Sequence, residues 1–320
     1  MKVLKIKFVD FWGDFNPEFN FIIKALKKHY KVVLTDSPDY LFFSTFGYAH
    51  LKYNCIKIMF VGENIVPDFN LCDYAMGFDF LNFGDRYLRL PLFVVCDNFK
   101  NLPLEKDFTP DRILNRKFCS VVVSNAKWSN PIRERFFRLL SEYKQVDSGG
   151  KLWNNVGGPI HDKLKFISGY KFNIAFENSS VLGYTTEKIL DAMVADTLPI
   201  YWGNPWIGKD FNELSFVNVR EYSSLEKVVE RIVELDSNDN LYLKMMKEPW
   251  INNSEILNWE NRLSDFFYHI FEKPLESARY LVDDGMQKLY KQNLKILAFA
   301  NEKLKISRFI SAYKKLKDTI

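Results

Sequence analysis

The segment 170–203 constrains the fold more than any other part of the chain. Two apolar runs, Phe172–Phe176 and Leu198–Tyr201, have the length and composition of buried strands. Between them, Thr186–Ala195 carries apolar residues at helical spacing. The segment therefore predicts a strand–loop–helix–strand unit, and α/β units of this kind usually bind a ligand beyond the carboxyl end of the first strand.

The same alternation of strands and helices recurs on both sides of residues 97–116, a polar segment that resembles a linker. Repeated alternation favours parallel sheets with helices on both faces. We therefore predict an α/β fold of two Rossmann-like parallel-sheet domains facing a central cleft, followed by a basic amphipathic helical tail. The predicted boundaries are 1–112, 113–272 and 273–320.

Composition and charge exclude some classes of protein. A hydrophobic content of 47%, with 29 Phe and 16 Tyr, is typical of a folded protein and not of a disordered one. The net charge of +4 is unevenly distributed, since nine Lys and Arg residues after position 285 oppose only Glu302 and Asp318. The rest of the chain is therefore slightly acidic, which argues against a nucleic-acid-binding body.

Cysteine usage and the two ends of the chain bear on localisation. The four cysteines lack CxxC spacing, which favours core thiols in a reducing compartment over disulfides or a zinc site. The first residues have the pattern of a strand and not of a signal peptide, and no window is apolar enough for a transmembrane span. We expect a cytoplasmic protein. The basic amphipathic pattern of 286–320 also predicts peripheral contact with the inner face of the membrane, with packing or dimerisation as equal alternatives.

Two cations are predicted in the first turn of a helix, where the helix dipole disfavours them by several tenths of a kcal/mol. Lys188 lies in the first turn of the predicted helix Thr186–Ala195. Arg133 follows Ser129–Pro131, which has the pattern of a helix start. For Arg133 alone, a solvated surface position is the better interpretation. A bound anion would relieve both conflicts, and the pair with the free N–H groups of the helices predicts a phosphate site.

The loop between the predicted strand and Lys188 supplies further candidate groups. Tyr184 offers a ring face and a hydroxyl, and Glu187 can accept a hydrogen bond from a sugar or ribose hydroxyl. Gly183 permits close backbone approach, and Thr185 or Thr186 can cap the helix. Taken singly, each residue is better explained by structure, whereas the set, completed by Glu177 and Asn178, favours a binding function.

Glu63 follows a predicted buried strand, Lys57–Val61, and Gly62. If this carboxylate lies in the predicted cleft, partial burial would raise its pKa towards the range useful to a general base. A solvated loop glutamate explains the local sequence equally well.

Several motifs are absent from the sequence. No two Asp residues flank a single position, so no DxD metal clamp is present, and neither GxGxxG nor GxxxxGK[ST] occurs. The four His residues form no HExxH motif. We therefore expect no metal and no cofactor, and protein cations would neutralise a bound diphosphate.

The sequence around these candidate residues resembles the α-1,3-fucosyltransferase family, particularly its bacterial members. The similarity covers roughly residues 55–220. Its most specific part is 172–203, and the part around Glu63 is moderately specific. The matching stretches are Val61–Asn64, Pro67–Asn70, Asp73–Asp79, Pro131–Arg133, Phe172–Asn178, Gly183–Lys188 and Pro199–Gly203.

The resemblance implies a GT-B fold, GDP-β-L-fucose as donor, and inversion to an α-linked fucoside. It implies that residues 1–112 hold the acceptor, with Glu63 as the base, and that 113–272 bind the donor. Arg133 and Lys188 would lie against the diphosphate. The residues around the nucleotide and fucose would be Asn178, Tyr184 and Glu187.

The implied acceptor is a GlcNAc- or Gal-containing glycan such as LacNAc, with α1,3 favoured over α1,4 linkage. Thr185 departs from the Val or Ile usual in the family, and residues 97–116 and 144–168 are unlike its members. Two alternatives stay open. One is transfer of another nucleotide sugar, and the other is an inactive glycan- or nucleotide-binding module, which would need no base at Glu63.

Overall fold

The computed structural model describes residues 1–124, 129–251 and 254–303. Its strands are β1 (Val3–Val9), β2 (Lys31–Leu34), β3 (Tyr40–Phe43), β4 (Ile56–Phe60), β5 (Tyr74–Gly77), β6 (Tyr87–Arg89), β7 (Lys117–Val121), β8 (Val146–Ser148), β9 (Tyr170–Phe176), β10 (Leu198–Trp202) and β11 (Val217–Asn218). Its α-helices are α1 (Phe21–Lys27), α2 (Leu92–Val95), α3 (Pro110–Leu114), α4 (Ile132–Tyr143), α5 (Lys163–Ile167), α6 (Glu187–Val194), α7 (Leu225–Ser237), α8 (Asp239–Lys247), α9 (Ser254–Leu257), α10 (Trp259–Phe271), α11 (Leu275–Ala278) and α12 (Gly285–Lys303).

The chain divides into two compact units, each with its own sheet. The first unit comprises residues 1–77, 82–88 and those from 261 onward, and its sheet has the order β2-β1-β3-β4-β5-β6. The second comprises 78–81 and 89–260, with the order β11-β10-β9-β7-β8. Neighbouring strands from β2 to β5, and all those of the second sheet, are parallel. The predicted pair of parallel-sheet α/β domains is confirmed.

The units have other boundaries than those predicted, and helix α10 is one reason. Its apolar face lies on the first sheet, with the ring of Phe267 5.9 Å from that of Phe42 and the ring of Phe271 4.6 Å from that of Tyr40. Burial of these aromatic rings stabilises the association. Residues 261–271 therefore belong to the first unit and not to the predicted domain 113–272.

Residues 89–112 are the other reason, because they pack into the second unit. Arg89 forms a bidentate ion pair with the buried carboxylate of Asp210, at 2.8 and 2.7 Å. Further along, the ring of Phe93 lies 4.8 Å from that of Phe211. The polar stretch predicted as a linker, 97–116, contains α3 and is tied to the same unit by Arg112–Asp196 and Asn98–Asp191 hydrogen bonds.

Strand β9 and helix α6 position the site in the second unit. Every residue of β9 is buried, and the strand lies between β10 and β7. Helix α6 buries Ile189, Leu190 and Met193, and it contacts both β9 and β10. Because β7 and β9 are parallel, the residues that follow them meet at the same edge of the sheet.

Helix α12 is the part of the predicted basic tail that the structure describes, and residues 304–320 lie outside the described residues. Several of its large apolar side chains are exposed, namely Leu289, Ile296, Leu297 and Phe299. Among the described helices, none combines the length and the apolar character that crossing a membrane requires. Peripheral membrane contact stays a prediction.

Candidate functional site

Glu177 directly follows β9, and its side chain is fully buried. The carboxylate accepts the backbone N–H of Thr186 at 2.7 Å, and the Thr186 hydroxyl lies 2.8 and 3.0 Å from its two oxygens. Gly203 leaves room for this side chain, since a Cβ there would lie 2.5 Å from Glu177 Cγ. Glu177 therefore holds the loop before α6 against the end of β9.

Lys188 donates to Glu177 Oε2 and to Thr186 Oγ1, both at 2.9 Å. Burial alone would lower its pKa, but the carboxylates of Glu177 and Glu187 outweigh burial, and the pKa of Lys188 is raised above its usual value. Relief of the conflict with the helix dipole therefore does not require a bound anion, and the predicted anion site stays a prediction. Glu177 supplies that negative charge within the fold.

Thr186 has a different role from the predicted one. It occupies the N-cap position of α6, but its side chain makes no capping hydrogen bond. The hydroxyl instead joins Glu177 and Lys188. The buried network replaces an ordinary helix cap and fixes the ammonium of Lys188 in one position.

Arg133 lies in the first turn of α4 and is only 6% exposed, so the solvated surface position is wrong for this residue. Its Nη1 donates to Ser129 Oγ and to Asn178 Oδ1, both at 2.8 Å. Burial lowers the pKa of Arg133, although nearby carboxylates act in the opposite direction. Asn178, the residue after Glu177, thus orients the buried guanidinium together with Ser129.

The two predicted cations line one pocket. Arg133 and Lys188 share it with the valines at the end of β7 and with two residues that sequence reasoning missed, Trp153 and Lys163. The pocket lies where the carboxyl ends of β7 and β9 meet, as predicted for the ligand site of this unit.

Lys163 begins α5, after Asp162, which caps that helix. Its Nζ lies 2.6 Å from Asp191 Oδ2 and 3.9 Å from Glu187 Oε1. Burial raises the pKa of Glu187, but Lys188 and Lys163 together outweigh burial, and the pKa is lowered. In the sequence, Lys163 could have been recognised only as a further cation that directly follows a possible helix cap, Asp162. The surrounding segment shows no clear helical periodicity of apolar residues.

The site balances its charges before any ligand binds. Three cations (Arg133, Lys163, Lys188) lie among three carboxylates (Glu177, Glu187, Asp191). Of these six groups in the described part of the chain, the three cations line the pocket and the carboxylates do not. The pocket therefore presents N–H donors to a ligand while the carboxylates hold those donors in place, an arrangement suited to a phosphate or another oxyanion.

Trp153 is the other residue that the sequence did not reveal. Its φ of 54° lies in the left-handed region, which a bulky side chain rarely adopts. Its ring stacks on Phe137 of α4, with centroids 5.0 Å apart and an interplanar angle of 11°. Strained backbone of this kind concentrates at functional sites, and here it places an indole at the pocket.

Tyr184 and Gly183 are not among the residues that line the pocket, and both lie against Phe78. Gly183 has a φ of +82°, and a Cβ there would lie 2.4 Å from the carbonyl oxygen of Phe78. Tyr184 is 3% exposed, and its ring lies edge-on to that of Phe78 at 5.2 Å. The close approach predicted for Gly183 is thus made to the backbone of Phe78.

Glu63 belongs to the first unit and is half-buried, three residues after β4. Its carbonyl oxygen accepts the N–H of Ile65 at 2.7 Å, which marks a tight turn. The side chain thus follows the carboxyl end of a strand, the position predicted for it. Its role as a base stays a prediction.

A second acidic group, Asp10, follows β1 at the same edge of the first sheet. Its carboxylate lies 2.7 Å from Nδ1 of the buried His50 and accepts the backbone N–H groups of Ala49 and His50, both at 2.9 Å. Burial raises the pKa of Asp10, but these hydrogen bonds outweigh burial and the pKa is lowered. The sequence did not indicate this pair.

Within the described residues, no group of three or more His, Cys, Asp or Glu side chains is placed to hold a metal ion.

Comparison with known proteins gives matches along most of the chain. Residues 6–96 match the model of the N-terminal domain of α-(1,3)-fucosyltransferase FucT, and residues 114–272 match the C-terminal model of glycosyltransferase family 10 (fucosyltransferase). The α-(1,3)-fucosyltransferase FucT of Helicobacter pylori is 35% identical over 291 residues, 78% of this chain and 60% of the relative. The α-(1,3)-fucosyltransferase B of Drosophila melanogaster is 34% identical over 147 residues, 39% of this chain and 32% of the relative. The chain thus spans less than two thirds of either relative.

Solved structures match over a larger share of both chains. A crystal structure of an α1,3-fucosyltransferase with GDP-fucose aligns with a TM-score of 0.73 and 31% identity, over 85% of this chain and 92% of that one. Another, with GDP, aligns with a TM-score of 0.74 and 31% identity, over 87% and 93%. These alignments confirm the predicted GT-B class of fold, with two parallel-sheet α/β domains.

Proposed function

The chain belongs to glycosyltransferase family 10, the fucosyltransferases, and on this premise we propose that it transfers fucose from GDP-β-L-fucose to a hydroxyl of a glycan. The observation that carries the proposal is the pocket of the second unit, where the buried Arg133 and the partly exposed Lys188 present N–H groups at the carboxyl ends of two parallel strands. A nucleoside diphosphate is the ligand class that such donors bind well.

In this proposal the diphosphate of the donor lies against Arg133 and Lys188. Each has donors to spare, since the ammonium of Lys188 uses two in its hydrogen bonds and only Nη1 of Arg133 donates to a described residue. Negative charge grows on the leaving GDP as the bond to the anomeric carbon breaks. Cations already held in place stabilise that charge without reorganisation.

Glu63 is the proposed base. The acceptor hydroxyl gives its proton to the Glu63 carboxylate and its oxygen attacks the anomeric carbon. The bond to GDP breaks, and its electron pair remains on the phosphate oxygen. A single displacement inverts the anomeric configuration, so the β-linked donor gives an α-linked product, and no second carboxylate is required as a nucleophile.

The proposed acceptor is a GlcNAc- or Gal-containing glycan such as LacNAc, with α1,3 linkage. Asn178 serves the site by orienting Arg133, and Glu187 lies beside Lys188 and Lys163, where a ribose or sugar hydroxyl could reach it. Tyr184 supports the loop by packing against Phe78. Calorimetry with GDP-fucose, other GDP-sugars and UDP-sugars separates the proposed donor from another nucleotide sugar.

The test is the variant Glu63→Gln, assayed with GDP-fucose and a panel of LacNAc and type-1 acceptors. We expect unchanged GDP affinity in calorimetry and a loss of transfer of at least about a hundredfold, because removal of a general base typically costs that much. Glu18→Gln, which changes an exposed carboxylate of the same unit, is the matched control and should transfer like the wild type. Turnover by Glu63→Gln near the wild-type rate would contradict the assignment and favour another base.

A further inference from the structure

Lys57, on β4 in the first unit, is a buried lysine with no counter-ion among the residues that the structure describes. The residue as a whole is 6% exposed. Its ammonium has no hydrogen-bond or ion-pair partner among the described residues, and because it is not one of their fully buried unpaired polar atoms, it opens to the pocket that Lys57 lines. Burial, reinforced by the nearby ammonium of Lys291, lowers its pKa to about 8. A buried charge of this kind is costly unless something neutralises it.

The carboxylate of Asp73, which acts on Lys57 electrostatically, is already engaged by backbone amides. Asp73 accepts the backbone N–H groups of Tyr280 and Leu281, both at 2.7 Å, and that of Lys57 at 2.8 Å. These three bonds attach the segment before α12 to the sheet. They engage both oxygens of Asp73 with backbone amides and leave the ammonium of Lys57 without an anionic partner in the described structure.

Lys57 lines a pocket of about 600 Å³, solvent at its mouth included. Four chain segments contribute to it: the turn 51–55, β4, residues 279–283 and α12. Its charged lining residues are the cations Lys52, Lys57, Arg279, Lys291 and Lys295 and one carboxylate, Asp283. That carboxylate is 60% exposed and lies 3.7 Å from Lys291, so the pocket carries a large excess of positive charge.

Two of these cations are held in position by neutral partners. Lys291 donates to the carbonyl oxygen of Val282 at 3.0 Å, and Arg279 donates to the side-chain oxygen of Asn54. Both retain further N–H groups for a ligand. The pocket therefore has a buried ammonium at its floor and fixed donors on its wall, which distinguishes it from a merely solvated basic surface.

We propose that this pocket binds a phosphate group, with the ammonium of Lys57 at the floor and Arg279, Lys291 and Lys295 around the oxygens. A phosphate has the charge that the pocket lacks and enough acceptor oxygens for several cations at once. The proposal does not depend on the proposed transferase activity. A lipid headgroup and a soluble phosphorylated compound share this chemistry, and the experiment distinguishes them.

The experiment is calorimetric titration of the full chain with inorganic phosphate, with saturating GDP present to occupy the second unit's pocket. We expect one bound phosphate per chain and an affinity loss of about tenfold or more in Lys57→Met, because a charge-assisted contact in a buried position is removed. Lys291→Met should show a loss in the same direction. Lys288→Met, which removes a lysine of α12 that does not line the pocket, is the control and should bind like the wild type.

Two further measurements identify whether the bound phosphate group belongs to a lipid or to a soluble compound. Glycerol 3-phosphate is titrated in the same way, and vesicles of phosphatidylcholine with and without phosphatidic acid are tested by flotation. Vesicle binding that requires phosphatidic acid and is weakened in Lys57→Met assigns a lipid headgroup, whereas binding of the soluble phosphates alone assigns a soluble ligand. Wild-type phosphate affinity in a folded Lys57→Met, or no phosphate binding by the wild type, would overturn the proposal.

Discussion

Lys188 in the second unit and Lys57 in the first are both largely buried lysines, yet their pKa values shift in opposite directions. Burial disfavours the charged form of both. Lys188 has the carboxylate of Glu177 at 2.9 Å, and its pKa is raised, whereas Lys57 has no such partner in the described structure, and its pKa falls to about 8. One carboxylate, placed directly after a strand, decides the difference.

The two lysines also represent two kinds of anion-binding cation, one whose charge the protein itself balances and one whose charge it leaves unbalanced. The charge of Lys188 is balanced within the fold, so the pocket proposed for the donor is organised without a ligand, and the proposal implies only moderate attraction for a diphosphate. Moderate attraction would suit the proposed transfer reaction, in which GDP must leave after each turnover. The charge of Lys57 is unbalanced, so a ligand there would relieve a cost that the fold itself carries.

The largest expected effect comes from making Lys188 resemble Lys57. Glu177→Ala leaves the ammonium buried without its partner, and we expect the free energy of unfolding to fall by about 3–5 kcal/mol. Urea denaturation measures it. The matched control is Glu187→Ala, which removes a half-exposed carboxylate 3.9 Å from the same ammonium and should cost less than about 1 kcal/mol. Equal costs would mean that Glu177 is not what stabilises the charge of Lys188.

The second prediction concerns the pH dependence of stability that the unbalanced Lys57 confers. Its pKa is about 8 when folded, against the ordinary 10.5, so between these values the unfolded chain binds more protons and the free energy of unfolding rises with pH. Below pH 8 both states are protonated and the cost of the buried charge is present in full. Relative to Lys57→Met, the wild type should gain roughly 2–4 kcal/mol between neutral pH and about pH 10.

Urea denaturation of both proteins at several pH values across this range measures the gain. Lys52→Met, which removes an exposed lysine from the same pocket, is the control, and its difference from the wild type should not change with pH in this way. A constant difference between the wild type and Lys57→Met would show that Lys57 is neutralised by a group of the protein, and the contrast with Lys188 would disappear.

Sequence patterns predict those elements of the structure that are determined by residues close to one another in the sequence. The apolar runs around β9 and β10 and the helix between them were identified from periodicity. The sequence predicts that Arg133 and Lys188 lie close together, because residues that follow parallel strands meet at one edge of a sheet. The compact units differ in extent from the predicted domains because α10 packs on β3, more than two hundred residues earlier in the chain, and no local sequence pattern indicates such a contact.

The electrostatic contrast was beyond sequence reasoning for the same physical reason. The pairing of Glu177 with Lys188 requires the space left by Gly203 and the turn at Thr186, which only the folded loop provides. Lys57 stands at the start of a predicted strand, where a lysine is usually solvated, and its burial involves residues from 279 onward. Charge balance therefore depends on tertiary contacts even where the strands themselves are predictable.

The smallest effect expected here is on GDP affinity, and it tests whether fixed geometry or total charge attracts the diphosphate. Because Lys188→Met alone would leave Glu177 unpaired, the informative variant is Lys188→Met with Glu177→Gln, which removes both charges. We expect GDP affinity in calorimetry to fall by about 1.5–3 kcal/mol, since a charge-assisted hydrogen bond is lost while the local charge stays balanced. Lys163→Met with Asp191→Asn, a pair 2.6 Å apart in which the lysine is 35% exposed, is the matched comparison and should cost less than about 1 kcal/mol. Equal losses would show that the pocket attracts GDP by its surrounding field, and the buried position of Lys188 would then have no special part in binding.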